Sequence, residues 1–396
     1  MARHKSKLTR ALNLKPHAYT LFRHLTAPLP ISRHWLGFYP DIAPLPNRID
    51  RISESVDYRI RLADPAYKPA LDVLAVHNWD IVRPHIQHRD PFLVRRFVGI
   101  VRDVIVPGHT LTPVDPQTWR QIGFELSGRS NWNFAHPGAG IFSSRRIAEP
   151  AIVVPPFWNY WHLFLEHLLP LIQAARLRAW GDETLMIITK SKRPPLIDAV
   201  IDGLREEGAN LSVVEVGPRE NLQIDRLLVA VNQCPNLERI YGLAEAIPTA
   251  RRVFAAAYRE RRLQATGIGP RLYISRRGTK LRQIVNEDEV IAGLKRLGFA
   301  VLESKWDNHP EQLAAFSGAE VVVGVHGAGM TNIIFSSPGT KVLEMFPNNH
   351  RKTSMLHLSA EHDLSHQPFF GSDEGHNQAF SVDVPRLLDQ VESLLG

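Results

Sequence analysis

The sequence predicts an α/β protein of two Rossmann-like domains facing a central cleft. Beyond about residue 150, β-branched runs alternate with amphipathic helical stretches, the order that builds parallel sheets through crossovers. The alternation pauses at Gly267-Ile-Gly-Pro270 and restarts, giving two blocks of roughly 100–200 residues, an ordinary domain size. The chain has 396 residues and is 44% apolar, enough for two cores. The expected divisions are a basic, Pro-rich arm at 1–46, a first α/β domain at 47–247, a second, Rossmann-like domain at 248–375, and a C-terminal helix at 376–396 that packs back on the first domain.

Taken in order, Pro28, Pro30, Pro40, Pro44 and Pro46 make an extended lead-in. Runs at 97–101 and 104–106 read as strands. Residues 157–180 read as a helix that Pro170 kinks or breaks. A strand at 185–189, a helix at 195–207, strands at 211–216 and 226–231, and an Ala/Arg-rich helix at 248–264 follow. In the second block, 271–275 is a strand. Residues 287–297 form a helix with Asn286 as N-cap, Glu289 completing a capping-box pair and Gly298 closing it. Then come a strand at 299–302, a helix at 309–316, a strand at 320–325, a short helix at 330–335 and a strand at 341–345.

Composition narrows the function. The single cysteine, Cys234, excludes an intramolecular disulfide and a Cys-based zinc site, and fits a reducing compartment. No apolar run approaches the ~18 residues of a membrane span, and no secretory-signal order opens the chain. Of the 47 Lys and Arg, seven (Arg3, Lys5, Lys7, Arg10, Lys15, Arg23 and Arg33) precede any acid, leaving 40 basic and 40 acidic side chains in the body. The net charge of +7 is thus an arm rather than a patch, which argues against nucleic acid as a partner. Such an arm suits peripheral contact with anionic lipid, or is simply a solvated terminus.

Three constellations carry chemistry. Glu320-Val-Val-Val-Gly-Val-His326-Gly327-Ala328-Gly329-Met-Thr331-Asn332 reads as a buried strand, a tight turn and a helix start. Helix N-termini hold phosphates, and small residues let a ligand approach the backbone. Glu344, at the end of the next strand, is placed to accept ribose hydroxyls. Arg271-Leu-Tyr-Ile-Ser275-Arg276-Arg277, with Arg282 behind it, ends a strand in cations suited to bidentate phosphate binding. Asn159, His162 and Glu166 share one face of an apolar helix, so Glu166 can orient His162 as a general base. Each also has a bland reading: a tight turn without a ligand, a solvated basic turn, and a core helix whose polar groups bond nearby backbone. No Asp-x-Asp, His-Glu-x-x-His, Gly-x-x-x-x-Gly-Lys or Gly-x-Ser-x-Gly pattern occurs.

Together, Asn159-Tyr-Trp-His162 through Glu166, Arg271 through Arg277 with Arg282, Asn286 and Glu287, and Val325 through Asn332 with Pro338-Gly-Thr340 resemble glycosyltransferase family 61. The resemblance runs from about residue 150 to about 350. It implies a GT-B architecture, with the C-terminal domain binding a nucleotide-sugar, usually a UDP-sugar, and inverting transfer without an essential metal or other cofactor. In that frame His162, Glu166 and Asn159 are the catalytic, acceptor-side residues, with His162 or Glu166 as base. Ser275, Arg276, Arg277, Arg282, His326, Gly327, Ala328, Gly329, Thr331, Asn332 and Glu344 form the nucleotide side. The absence of an anchor or signal in this reading points to a bacterial, cytoplasmic, capsular-polysaccharide-type member acting on a glycan or polysaccharide. The alternatives are a non-catalytic nucleotide- or glycan-binding subunit and a polysaccharide pyruvyl-type transferase.

Overall fold

The computed structural model describes residues 49–51, 56–59, 64–74, 93–114, 116, 144–233, 244–259 and 268–396. The basic arm, Cys234 and the far end of the helix expected to reach 264 lie outside them. The described residues form a mixed α/β fold with two sheets. Among them, no helix is long and apolar enough to cross a membrane.

The first sheet contains β1 (Ile49–Arg51), β2 (Val56–Arg59), β3 (Leu93–Pro107), β4 (Ser144–Val153), β5 (Leu185–Thr189), β6 (Leu211–Glu215) and β7 (Asn221–Gln233). The spatial order is β1-β3-β7-β4-β5-β6, with β2 also on β3. β7, β4, β5 and β6 are mutually parallel, whereas β3 runs antiparallel to β7, β1 and β2. Only four strands therefore follow the expected parallel pattern. The rest come from the region before residue 150, where the sequence lacks a regular strand–helix alternation, and antiparallel neighbours need no helical crossover.

The second sheet contains β8 (Arg271–Ser275), β9 (Ala300–Glu303), β10 (Val321–Val325), β11 (Lys341–Pro347), β12 (Ser365–Asp373) and β13 (Phe380–Ser381). Its order is β13-β12-β11-β10-β8-β9. β9, β8, β10, β11 and β12 are parallel, and β13 is an antiparallel edge. In chain order the parallel strands run 2-1-3-4-5, a doubly wound arrangement. Its direction reverses between β8 and β10, which opens a crevice beyond their carboxyl ends. β10 sits centrally and is buried at every position, which is why it reads as an unbroken β-branched run.

Nine helices complete the part of the architecture used below: α1 (Lys68–Leu74), α2 (Tyr160–Leu163), α3 (Leu169–Arg176), α4 (Pro195–Glu206), α5 (Ile247–Ala257), α6 (Glu287–Arg296), α7 (His309–Ser317), α8 (Ser354–Glu361) and α9 (Val384–Leu395). One buried cluster joins the two halves. It includes Leu163, Leu168, Ile172, Ile197 and Phe254 from the first, and Ile274, Phe316, Met330, Ile333, Phe335 and Leu358 from the second.

Several expectations need correction. The C-terminal helix does not pack on the first domain: Leu387, Val391 and Leu394 of α9 enter the core of the second sheet with Val290 and Leu294 of α6. α5, expected to open the second domain, lies against α3 and α4. It comes so close that a Cβ at Gly203 would stand 2.1 Å from the Val253 carbonyl oxygen. α1, although early in the chain, packs against the second half through Ala70, Leu71 and Leu74 with Phe346, Leu356 and Ala360. In each case an apolar face is covered by the nearest complementary face in space rather than in sequence. Asn286 does not cap α6 with its side chain. Its amide bonds the backbone of Val382 in both directions, at 2.8 and 3.0 Å, which pins the end of the chain to the start of α6.

Candidate active site

Asn159 caps α2, its side-chain oxygen accepting from His162 N at 3.4 Å. The helix does not break at Pro170. Instead Phe164–Leu168 form a π-helical turn, and Pro170 falls in the first turn of α3. Proline has no N–H and its ring crowds the carbonyl four residues back. The wider turn relieves that conflict just before it, a device frequent at functional sites. On this segment His162 Nδ1 meets Glu166 Oε1 at 2.8 Å. The histidine is partly exposed and the carboxylate almost fully buried. With Nδ1 engaged, Nε2 is the nitrogen left to exchange a proton. His167 faces elsewhere: it is buried, stacks on Phe157 at 5.2 Å, and burial lowers its pKa to about 4.

At the switch point, β8 ends in a turn held by Glu287, which the sequence reading placed in the first turn of a helix and within the quoted motifs. Glu287, buried at the start of α6, accepts from Tyr273 OH at 2.8 Å, Ser275 Oγ at 2.8 Å and Arg276 N at 3.1 Å. Ser275 is thus engaged within the protein, and so is Arg277, whose guanidinium pairs with Asp288. Arg276 is different. Its guanidinium lies over Gly327, so close that a Cβ there would be 1.7 Å from Nη1. Nη2 donates to the Leu281 carbonyl at 2.9 Å, while Nε is buried without a partner. Burial, with Arg282 nearby, lowers its pKa to about 10, so it stays cationic at neutral pH. Arg282 donates to the His326 carbonyl at 2.9 Å and reaches His350 and Gln378 at 3.4 and 3.3 Å. Two cations therefore meet at the carboxyl ends of β8 and β10, beside a turn without bulky side chains.

His326 directly follows β10 and stacks on Phe346 at 5.3 Å. Its Nδ1 meets Glu344 Oε1 at 2.7 Å, and the other carboxylate oxygen meets His366 Nε2 at 3.0 Å. Glu344 has no exposed surface, so it does not reach ribose hydroxyls as expected; it is an internal anchor for two imidazoles. Burial alone would raise its pKa, but the charge and hydrogen bond of His326 and the bond from His366 bring it below the ordinary value. The first and second halves each carry a His–Glu pair, on either side of their junction.

That junction is a polar chain. Tyr160 OH donates to Asn332 Oδ1 at 2.5 Å and bonds His309 Nε2 at 2.9 Å; Tyr258 OH bonds His309 Nδ1 at 3.0 Å. Asn332 Nδ2 donates to Gln312 Oε1 at 3.0 Å. Because Tyr160 already donates to Asn332, it accepts from His309 Nε2–H, and Nδ1 accepts from Tyr258. That direction requires a neutral His309, and burial does lower its pKa to about 3. Asn332 and Thr331 are fully buried, so both serve the interior rather than lining an open site. Met330–Phe335 was expected as a short helix; the element is a 3-10 helix, Ala328–Phe335.

The fold thus brings together Arg276, Arg282, His326 and the Gly327–Gly329 turn, and sets Asn159, His162 and Glu166 on the neighbouring segment, since α2 packs on the 3-10 helix. It turns Ser275, Arg277, Thr331, Asn332 and Glu344 inward or onto other partners. The sequence reading gave no site role to Tyr160 and Glu287, which it quoted only within the motifs, and passed over His309, Gln312 and His366. A tyrosine beside an N-cap and a histidine opening a helix were the available signals.

Residues 160–343 match the family model described as Glycosyltransferase 61. Similar proteins include Beta-1,2-xylosyltransferase XYXT1 of Oryza sativa subsp. japonica, 34% identical over 20% of this chain and 17% of that protein. EGF domain-specific O-linked N-acetylglucosamine transferase of Drosophila melanogaster is 30% identical over 26% and 22%. Xylan glycosyltransferase MUCI21 of Arabidopsis thaliana is 27% identical over 52% and 39%. The chain thus spans well under half the length of these relatives. They are plant and fly proteins, so the expected bacterial, capsular-type assignment finds no support in them. The matched region begins at Tyr160 and ends within β11, and so contains the His162–Glu166 pair, both arginines and the glycine turn.

Proposed function

We propose that this protein is a GT-B-type glycosyltransferase that moves a sugar from a nucleotide-sugar, a UDP-sugar in the first instance, to a glycan hydroxyl with inversion. The observation that carries the reading is the convergence of Arg276 and Arg282 on the Gly327 turn, at the switch point of a 2-1-3-4-5 sheet. Beside it stands a histidine oriented by a buried carboxylate. The family match covers both parts.

In this reading the acceptor oxygen attacks the anomeric carbon from the side of α2 while His162 Nε2 takes its proton. Glu166 fixes the ring through Nδ1 and stabilises the imidazolium that forms. The bond from the anomeric carbon to the diphosphate oxygen breaks, and its electron pair leaves with the nucleotide. Arg276, Arg282 and the first N–H groups of the 3-10 helix carry that growing charge. His326, held by Glu344, contacts a phosphate oxygen. The arginines supply the positive charge that the leaving group needs, so no metal is required in this scheme.

Calorimetric titration with UDP, GDP, CMP and phosphoenolpyruvate tests the donor class. Binding of a nucleoside diphosphate, weakened in Arg276→Ala, is expected. Binding of phosphoenolpyruvate alone would overturn it in favour of pyruvyl transfer.

A further inference from the structure

We propose that Trp158 and Trp306 form a stacking platform for a pyranose ring of a neutral acceptor glycan. This rests on the transferase reading and names the acceptor class for the same site. Trp158 is 55% exposed, unusual for so large an apolar side chain. It meets Trp306 edge to face, with ring centres 6.0 Å apart. Trp306 in turn packs on Tyr160 at 6.2 Å. One indole therefore presents a ring to solvent and the other braces it from the opposite half of the molecule.

Chain connectivity locates the platform. Trp158 directly precedes Asn159, the cap of the helix that carries His162. Trp306 follows two residues after Ser304, whose Oγ is buried without a partner and would lie 3.0 Å from a Cβ at Gly329. The platform is thus tethered on one side to the proposed base and on the other to the proposed phosphate turn. A donor sugar, attached to the diphosphate, occupies the enclosed end of such a site. The exposed ring of Trp158 stands where an acceptor arrives.

The chemistry fits a sugar better than an apolar partner. A pyranose offers one face of C–H bonds, which suits the electron-rich face of an indole, and a rim of hydroxyls. The sequence neighbours of the two tryptophans, Asn159, Lys305 and Asp307, are all exposed and supply hydrogen-bonding groups around the rings. A docking helix or membrane would call for a broader aliphatic patch.

The test is calorimetric titration of the whole chain with xylohexaose, cellohexaose and chitohexaose, on wild type, Trp158→Phe and Trp158→Ala. At least one hexasaccharide is expected to bind wild type in the millimolar range or tighter. Trp158→Ala should lose at least tenfold in affinity while Trp158→Phe keeps most of it, with UDP affinity and melting temperature unchanged in both. Equal affinity in Trp158→Ala, or no binding of any of the three by wild type, would overturn the platform. Absent nucleotide binding with glycan binding lost in Trp158→Ala would instead overturn the transferase reading and leave the platform standing.

Discussion

At the scale of single residues, Arg276 concentrates the argument for a phosphate site. It is cationic, its Nε is buried without a partner, and its guanidinium covers a glycine that leaves no side chain between it and the turn. A charge-assisted bond of this kind contributes ~1.5–3 kcal/mol. Arg276→Ala should therefore weaken UDP binding by roughly tenfold or more, measured by titration calorimetry. Gly327→Ala should do the same by displacing the guanidinium, with little change in melting temperature, because the obstructed atom is a side-chain end rather than backbone. Unchanged affinity in both would remove Arg276 from the site. The sequence singled these residues out because cations and small residues stand together at strand ends, and the fold does bring Arg276 onto Gly327. Glu344 was misread because a carboxylate at a strand end looks the same whether it faces a ligand or two imidazoles; only His366, 22 positions later, decides it.

At the scale of elements, the α2–π–α3 segment and the 3-10 helix are held together by the chain Tyr258–His309–Tyr160–Asn332–Gln312. Removing the Tyr160 hydroxyl leaves Asn332 Oδ1 and His309 Nε2 buried without that partner. Tyr160→Phe should cost about 1–3 kcal/mol of stability, read from denaturant midpoints at constant slope. The same chain sets a pH dependence. His309 titrates near 6.5 when unfolded and at about 3 when folded, so between those values the unfolded state binds more protons. Stability from this group is complete above about 6.5 and declines as pH falls toward 3; His167, at about 4, acts in the same direction. Denaturant midpoints across pH 3–8 should show the slope, and His309→Gln should flatten it. The positions of most elements after residue 150 followed from periodicity, because buried parallel strands and amphipathic helices differ in repeat. The π turn did not: Pro170 signals a conflict with the helix, but whether the chain breaks or widens depends on the packing around it.

At the scale of the whole molecule, the two sheets share one apolar cluster, and α1 and α5 each lie against parts of the chain distant in sequence. Unfolding should accordingly be a single cooperative transition, with calorimetric and van't Hoff enthalpies in agreement. Two resolved transitions would show that the halves fold independently. The second sheet was legible from β8 to β11, since each of those parallel strands is short, apolar and separated by a helix; β12 is mostly polar and carries no such signal. In the first sheet β5, β6, β7 and the two runs inside β3 were legible, whereas β1, β2 and β4 were not, because the region before residue 150 has no regular helical spacer to count.

The proposed mechanism draws on both halves at once, so the decisive measurement compares wild type and His162→Ala for UDP release from UDP-sugars in the presence of glycan acceptors, with UDP affinity determined for each. Wild type should transfer sugar, and the variant should lose about 10²–10⁴-fold in turnover while binding UDP as tightly. Turnover by His162→Ala equal to wild type, or no turnover and no nucleotide binding by wild type, would contradict a transferase that uses His162 as its base.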